Sequence, residues 1–170
     1  MLLCASCTLC KKKNNTPHFS SYVEKLFSTE EDFFRGISMG MSRDKVKSKE
    51  EIRPVSEESN LLRYEIIYPK DSTTYEEYAD IEYNFTDSDK LDIITGKIYA
   101  SEAQLSDSIY SDVSRYLTYN YGIAEKDAYN YEVWKGKSMN YAGDSISINI
   151  GIIKKQIDDE YLIIYEIMQE

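Results

Sequence analysis

The sequence predicts an α+β fold in which a helix is followed by a three-stranded antiparallel meander, and in which that αβββ unit is present twice. Two observations carry this. The apolar period is helical up to about Val46, becomes two after Pro54, and turns helical again after Ser101 before three more strand-like runs. Each half is roughly 70–80 residues long, a length that suits a duplicated small unit. The expected organisation is a leader and tether over 1–16, a first unit over 17–100 and a second over 101–170, the two packing as one body.

Taken in order, Phe19, Tyr22, Val23, Leu26 and Phe27 have helical spacing. Ser28-Thr29-Glu30-Glu31 reads as a capping box that opens a new turn. Ser42 is an expected N-cap, and Val46 is the single apolar residue of the polar helix RDKVKSKEE. Leu62, Tyr64, Ile66 and Tyr68 alternate, as do Ile81, Tyr83 and Phe85, and Leu91 to Tyr99 is a third strand-like run. One face of this meander is expected to be apolar and the other polar. Leu105, Ile109, Val113, Tyr116 and Leu117 form one continuous helical stripe, and Gly122 is its expected stop. Strands are then expected at Tyr129–Trp134, Ile146–Ile153 and Tyr161–Met168, with Asp158-Asp159 in the last turn.

The formal net charge of -10 argues against a nucleic-acid partner, because phosphate binding needs a cationic face. Sixteen tyrosines suit half-buried sheet faces and protein-binding surfaces, since each combines an apolar ring with a polar tip. Cys4, Cys7 and Cys10 are the chain's cysteines, so residues 11–170 contain neither a disulfide nor a cysteine nucleophile.

The leader MLLCASCTLCKKKNNTPHF admits three readings. Small residues Ala5 and Ser6 before Cys7, with Leu2 and Leu3 upstream and the polar run from Lys11 to Asn15 after it, resemble a bacterial lipobox. Its departures are a short apolar run, no basic segment ahead of it, and Cys4 where such signals carry Leu. A lipid on Cys7 would add membrane affinity of ~0.8 kcal/mol per buried CH₂. Alternatively, Cys4, Cys7 and Cys10 have ligand-like spacing, with His18 the chain's single histidine, although a second CxxC is missing. The third reading is a disordered leader with incidental thiols. No stretch reaches the ~20 apolar residues of a membrane-spanning helix. A lipidated leader places the protein in the cell envelope, its only membrane link the lipid; a leader that is not a signal leaves it cytoplasmic.

The segment Arg35 to Val46, RGISMGMSRDKV, contains neither a phosphate loop, which needs Lys after the last glycine, nor a GxGxxG dinucleotide motif. Gly36 and Gly40 permit tight turns, and Met41 and Val46 can tuck under the helix that Ser42 opens. The pattern Gly36, Gly40, Met41, Ser42, Val46 resembles the start of the small outer-membrane assembly lipoproteins of the SmpA/OmlA, or BamE-like, group. It also resembles domains of the β-lactamase-inhibitor-protein-like fold. Tyr83, Phe85, Asp89 and Leu91 match a later element of these proteins loosely, so the likeness covers mainly residues 33–99. Members usually have one such unit where two are expected here. The resemblance implies an envelope protein that binds other proteins and performs no catalysis.

Nothing in the residues argues for an enzyme or a cofactor. His18 stands alone beside the tether, where an imidazole is poorly oriented for a Ser-His-Asp arrangement. The carboxylate pairs Glu57/Glu58, Glu76/Glu77 and Asp158/Asp159 sit beside turn residues, as solvated loops do. Asp87-Ser88-Asp89 lacks the following Gly and the distal Glu of a calcium loop and reads as a hairpin turn. No metal site is expected in the body. Trp134 reads as core or rim. The functional expectation is a lipid-tethered, non-enzymatic binding module that assists an envelope complex. The alternative is an envelope immunity or inhibitor protein that blocks a toxin or enzyme, for which an acidic surface would speed capture of a basic target. The partner is expected to be a protein, met through Tyr75, Tyr78 or Tyr141.

Overall fold

Alternating apolar residues demand a sheet with something packed on one side, and that is the arrangement found. The structure, a computed structural model, describes residues 17–27, 34–68 and 77–170. These residues form helices α1 (Ser21–Leu26), α2 (Arg43–Lys49) and α3 (Ala103–Tyr121). The strands are β1 (Ser56–Glu57), β2 (Leu61–Tyr68), β3 (Glu77–Phe85), β4 (Leu91–Ala100), β5 (Glu125–Lys126), β6 (Glu132–Met139), β7 (Ser145–Ile157) and β8 (Glu160–Gln169).

The fold class differs from the one expected. There are not two three-stranded αβββ units but one eight-stranded antiparallel sheet, in the order β1-β2-β3-β4-β8-β7-β6-β5. The reason lies at β4 and β8, which pair with each other from Ile93↔Met168 to Ala100↔Tyr161. Gly96 makes the join possible: a Cβ there would overlap the ring of Tyr165, its partner across the ladder. The outer strands β1 and β5 are two residues each and polar, which blunts both edges against further pairing. Neither was legible as a strand. β6 begins later than expected, because 127–131 is a turn, and β7 runs on to Ile157.

One sheet face carries the helical layer. Its rows run through Tyr83, Ile94 and Ile167, and through Ile81, Gly96 and Tyr165. Helix α3 lies across β4, β6, β7 and β8 and buries Ile109, Val113, Tyr116 and Leu117, the expected stripe. It stops at Gly122, whose φ of 89° few other residues tolerate. Trp134 is core, its Nε1 donating to Thr118 Oγ1 at 3.2 Å. Helix α1 packs on α3, and Phe27 stacks on Tyr116 with ring centroids 5.0 Å apart. The expected capping box over 28–31 lies outside the described residues.

The glycine-bearing stretch covers the rest of this face. Phe34 to Ile37 is a two-residue turn closed by the Ile37 N–H to the Phe34 carbonyl at 2.7 Å. Arg35 and Gly36 both have positive φ, 52° and 74°, the signs of a type I′ turn. The turn aims Arg35 inward at Glu50, whose side chain is 1% exposed. The contact is two-pronged, Nε to Oε1 at 3.0 Å and Nη2 to Oε2 at 2.6 Å, and the Tyr83 hydroxyl donates to Glu50 Oε1. Met39 and Met41 are buried, as is Val46. The Gly40 N–H donates to the Leu91 carbonyl at 2.9 Å and the Leu91 N–H to the Met41 carbonyl at 2.8 Å, which ties the stretch to β4. Ser42 stands at the N-cap of α2, but its side chain makes no capping bond there. The next residue is the better-used one. Arg43 donates to the Glu58 and Ser59 carbonyls, lies 5.1 Å from the centroid of the Phe85 ring, and pairs with Asp89 at 3.6 Å.

Two stability experiments follow from this packing. Ile109→Ala is expected to cost about 2–5 kcal/mol in chemical denaturation, as cavity-forming substitutions do; a loss in the range of surface sites, under about 0.5 kcal/mol, contradicts the assigned helix face. Arg35→Ala leaves Glu50 buried without its counter-charge and is expected to cost about 3–5 kcal/mol. Arg35→Met combined with Glu50→Leu is expected to recover much of that loss, because no unpaired charge then remains inside.

Candidate binding face

Register sorts every strand residue to one of two faces, and the face opposite the helices is where the chemistry can meet a partner. No described helix lies on it. Its rows cross the whole sheet. One runs Ile67, Tyr78, Tyr99, Leu162, Lys155; the next runs Glu65, Asp80, Lys97, Ile164, Ile153. A third runs Arg63, Glu82, Thr95, Glu166, Gly151, Val133. The expected polar face is therefore mixed. Its ends and middle carry apolar side chains, and Ile67 remains 52% exposed.

The charged groups of β2, β3 and β4 are largely neutralised by cross-strand pairing. Arg63 meets Asp80 at 3.4 Å, and Lys97 meets Glu82 at 3.1 Å. Beside them Tyr78 and Tyr99, directly opposite in register, stack with centroids 4.3 Å apart and planes 17° off parallel. Burial first, then Tyr99 and nearby carboxylates, pushes the Tyr78 phenol up from its ordinary value, and burial with Asp80, Glu160 and Glu82 does the same for Tyr99. The result is a flat aromatic surface next to screened charges.

Toward β6 the face deepens into a groove of about 330 Å³. Its floor is Gly151, and Tyr129, Tyr131, Val133 and Met168 supply its walls. The tyrosines reach it because 127–131 is a turn: Asp127 Oδ1 accepts the N–H groups of Tyr129 at 2.8 Å and Tyr131 at 2.9 Å, and Asn130 has a φ of 66°. The Tyr131 ring lies over Gly151, where a Cβ would come within 3.2 Å of its Cδ1.

The tyrosines expected to bind a partner are not brought together. Tyr78 is on this face, at the β2–β3 end. Tyr141 is half exposed in the β6–β7 loop at the opposite end, its N–H donating to the Met39 carbonyl at 2.9 Å. Tyr75 lies outside the described residues, as do Cys4, Cys7 and Cys10. The structural-motif residues Gly36, Gly40, Met41, Ser42 and Val46 are all on the helix side and contribute nothing to the open face. Tyr99, Tyr129 and Tyr131 were missed. The first was read only as the end of a strand, and the other two as the start of one. The signal for the second error was present in Asp127 and Asn130, both turn formers.

Elsewhere the chemistry is sparse. His18 is exposed, and its carbonyl accepts from Arg115 Nη2 at 3.0 Å. A cavity of about 500 Å³ between α1 and α3 is lined by Phe19, Tyr22, Ile109, Asp112 and Arg115. Burial raises the Asp112 carboxyl, but bonds from Ser20 and Arg115 outweigh it and hold the group below its ordinary value. Among the described residues no three or more His, Cys, Asp or Glu side chains are grouped to hold a metal ion. Nor is any described helix long and apolar enough to cross a membrane. No protein-family model, curated protein or solved structure matches the chain.

The helix-side core makes a pH prediction. Burial, reinforced by carboxylates, pushes the Tyr64 phenol up to about 12 (with Glu50 near) and the Tyr110 phenol up to about 12 (with Glu132 near), from an ordinary value of 10.0. Tyr83 is raised well above that value by burial and by Glu50. Between the ordinary and raised values the unfolded chain has lost these protons and the folded chain still holds them, so stability falls as pH rises. Urea midpoints measured from pH 9 to 12 are expected to hold steady to about pH 10 and then decline; a midpoint that stays level to pH 12 contradicts the burial of these phenols.

Proposed function

We propose that the chain is a non-enzymatic protein-binding module of a bacterial cell envelope, lipid-tethered through Cys7, which meets its partner with the open face of the sheet. The observation that carries this reading is that face itself: Tyr78 stacked on Tyr99, Ile67 half exposed, and a tyrosine-walled groove beside them, with no described helix over any of it. A sheet held rigid from behind by a packed core loses little freedom on docking, and tyrosines give contact area at low entropic cost. Three of the chain's basic residues, Lys11, Lys12 and Lys13, belong to the leader, so the body is still more acidic than the net -10 of the whole. That charge steers a basic partner toward it. The likeness of the stretch from Gly36 to Val46 to envelope assembly lipoproteins supports the address.

A photo-crosslinking amino acid placed at Tyr99 in the native host tests the surface, with the same group at Tyr119 on α3 as control. Capture of one discrete protein from position 99 and not from 119 is expected. Capture from 119 alone overturns the assignment. For the address, Cys7→Ser is expected to move the protein from the membrane to the soluble fraction; unchanged partitioning rules out the lipid.

A further inference from the structure

Glu166 stands in the middle of the open face, on the central strand β8, as a half-buried carboxylate to which no described residue brings a hydrogen bond or a counter-charge. The two nearest candidates are already engaged. Lys97, on the neighbouring strand, is turned to Glu82 at 3.1 Å, and Lys135, which lines the groove directly opposite Asn149 in register, is turned to Glu125 at 3.2 Å. One step along β7 on the same face, Asn149 Oδ1 is shielded from solvent and likewise meets no donor. Glu166 is paired in register with Gly151 and Asn149 with Met168, so the two residues are diagonal neighbours on adjacent strands, their Cα positions roughly 7–8 Å apart by ladder geometry. Both line the groove walled by Tyr129 and Tyr131.

A groove with one buried carbonyl that meets no donor, one part-exposed carboxylate without a counter-charge among the described residues, and aromatic walls calls for a cation with several donors. We propose that this groove receives an arginine side chain of the partner protein, its guanidinium bridging the Glu166 carboxylate and the Asn149 carbonyl. Arginine suits the site better than lysine. Its planar fork can reach two separate acceptors at once, it stacks on tyrosine rings, and it sheds water more readily than an ammonium. The missing Cβ of Gly151 lets the Tyr131 ring pack down onto the sheet, and Met168 and Val133 beside it can accommodate the methylene stem. Burial first, and then the negative charges of Glu166 and Asp127, raise the Tyr131 phenol from its ordinary value. Tyr129, 79% exposed, supplies a ring that can close over the guest. The inference rests on the open face being the partner surface and adds what that surface selects.

The full chain, kept reduced and labelled with ¹⁵N, is to be titrated with N-acetyl-arginine amide and, in parallel, with the neutral isostere N-acetyl-citrulline amide. Saturable amide shifts confined to Val133, Gly151, Glu166 and Met168 are expected with the arginine probe. The citrulline probe is expected to bind at least five-fold more weakly. Glu166→Gln is expected to abolish the preference between the two probes. Tyr129→Ala, a change at an exposed ring, is expected to weaken the arginine probe with the remaining spectrum unchanged. Equal binding of both probes by the unaltered chain, or an arginine affinity undiminished in Glu166→Gln, overturns the proposal. Crosslinking separates this from the parent reading: a Glu166→Gln chain that captures its partner through position 99 undiminished removes the arginine site and leaves the open face standing, whereas loss of capture from position 99 in the unaltered chain removes both.

Discussion

The fold turns on the buried contact of Arg35 with Glu50 and Tyr83. It joins three separate parts of the chain: the turn over 34–37, the C-cap of α2, and the C-terminal part of β3. Burial alone would pull the guanidinium down; the hydrogen bond to Glu50 and its charge outweigh that and hold Arg35 above its ordinary value. Charges taken out of water this far hold only with matched geometry, so the contact admits few alternative packings. A type I′ turn with Arg in the left-handed region is costly for a side chain of that size, and the ion pair on its far end offsets the cost.

This contact has a consequence on the other side of the sheet. Phe34, Ile37, Met39 and Met41 are committed to the helix side, as are α1, α2 and α3. That leaves no described element to cover the opposite face, and the sheet must keep its own order there. Cross-strand ion pairs and the Tyr78–Tyr99 stack do so. Even so, among the described residues Asp80 Oδ1 within the paired region and Asn149 Oδ1 beside β6 meet no donor, and Glu166 next to the latter meets no counter-charge. The bare face and the groove are thus two outcomes of one commitment of the covering segments.

Much of this was legible in sequence, and the failures have physical causes. The period-two runs at Leu62–Tyr68, Ile81–Phe85 and Leu91–Tyr99 sit within β2, β3 and β4, and the Ile109–Leu117 stripe is buried as expected, because local periodicity reports which side a residue faces. Strand order is non-local. That β4 would meet β8 and merge the strands into one sheet depends on Gly96 yielding space to Tyr165, which no spacing in the chain announces. The glycines of RGISMG were read correctly as backbone joints, but the residue between them and the phenylalanines, Arg35, carries the energy. Its partner Glu50 looked like one of several charges on a polar helix. The site was the least legible part: Tyr78 and Tyr141 were picked for their loops and charges, whereas this face is set by register, which places Tyr99 and Glu166 on one side, and by the 127–131 turn, which brings Tyr129 and Tyr131 to it.

Hydroxyl-radical footprinting of the chain alone and with its crosslinked partner protein would test the central claim most directly, because it reads both faces in one experiment. Tyr78, Tyr99, Tyr129 and Met168 are expected to lose reactivity in the complex, and Tyr119 on α3 to keep it. Protection of Tyr119 with the four open-face residues unchanged would contradict the account and place the partner on the helices.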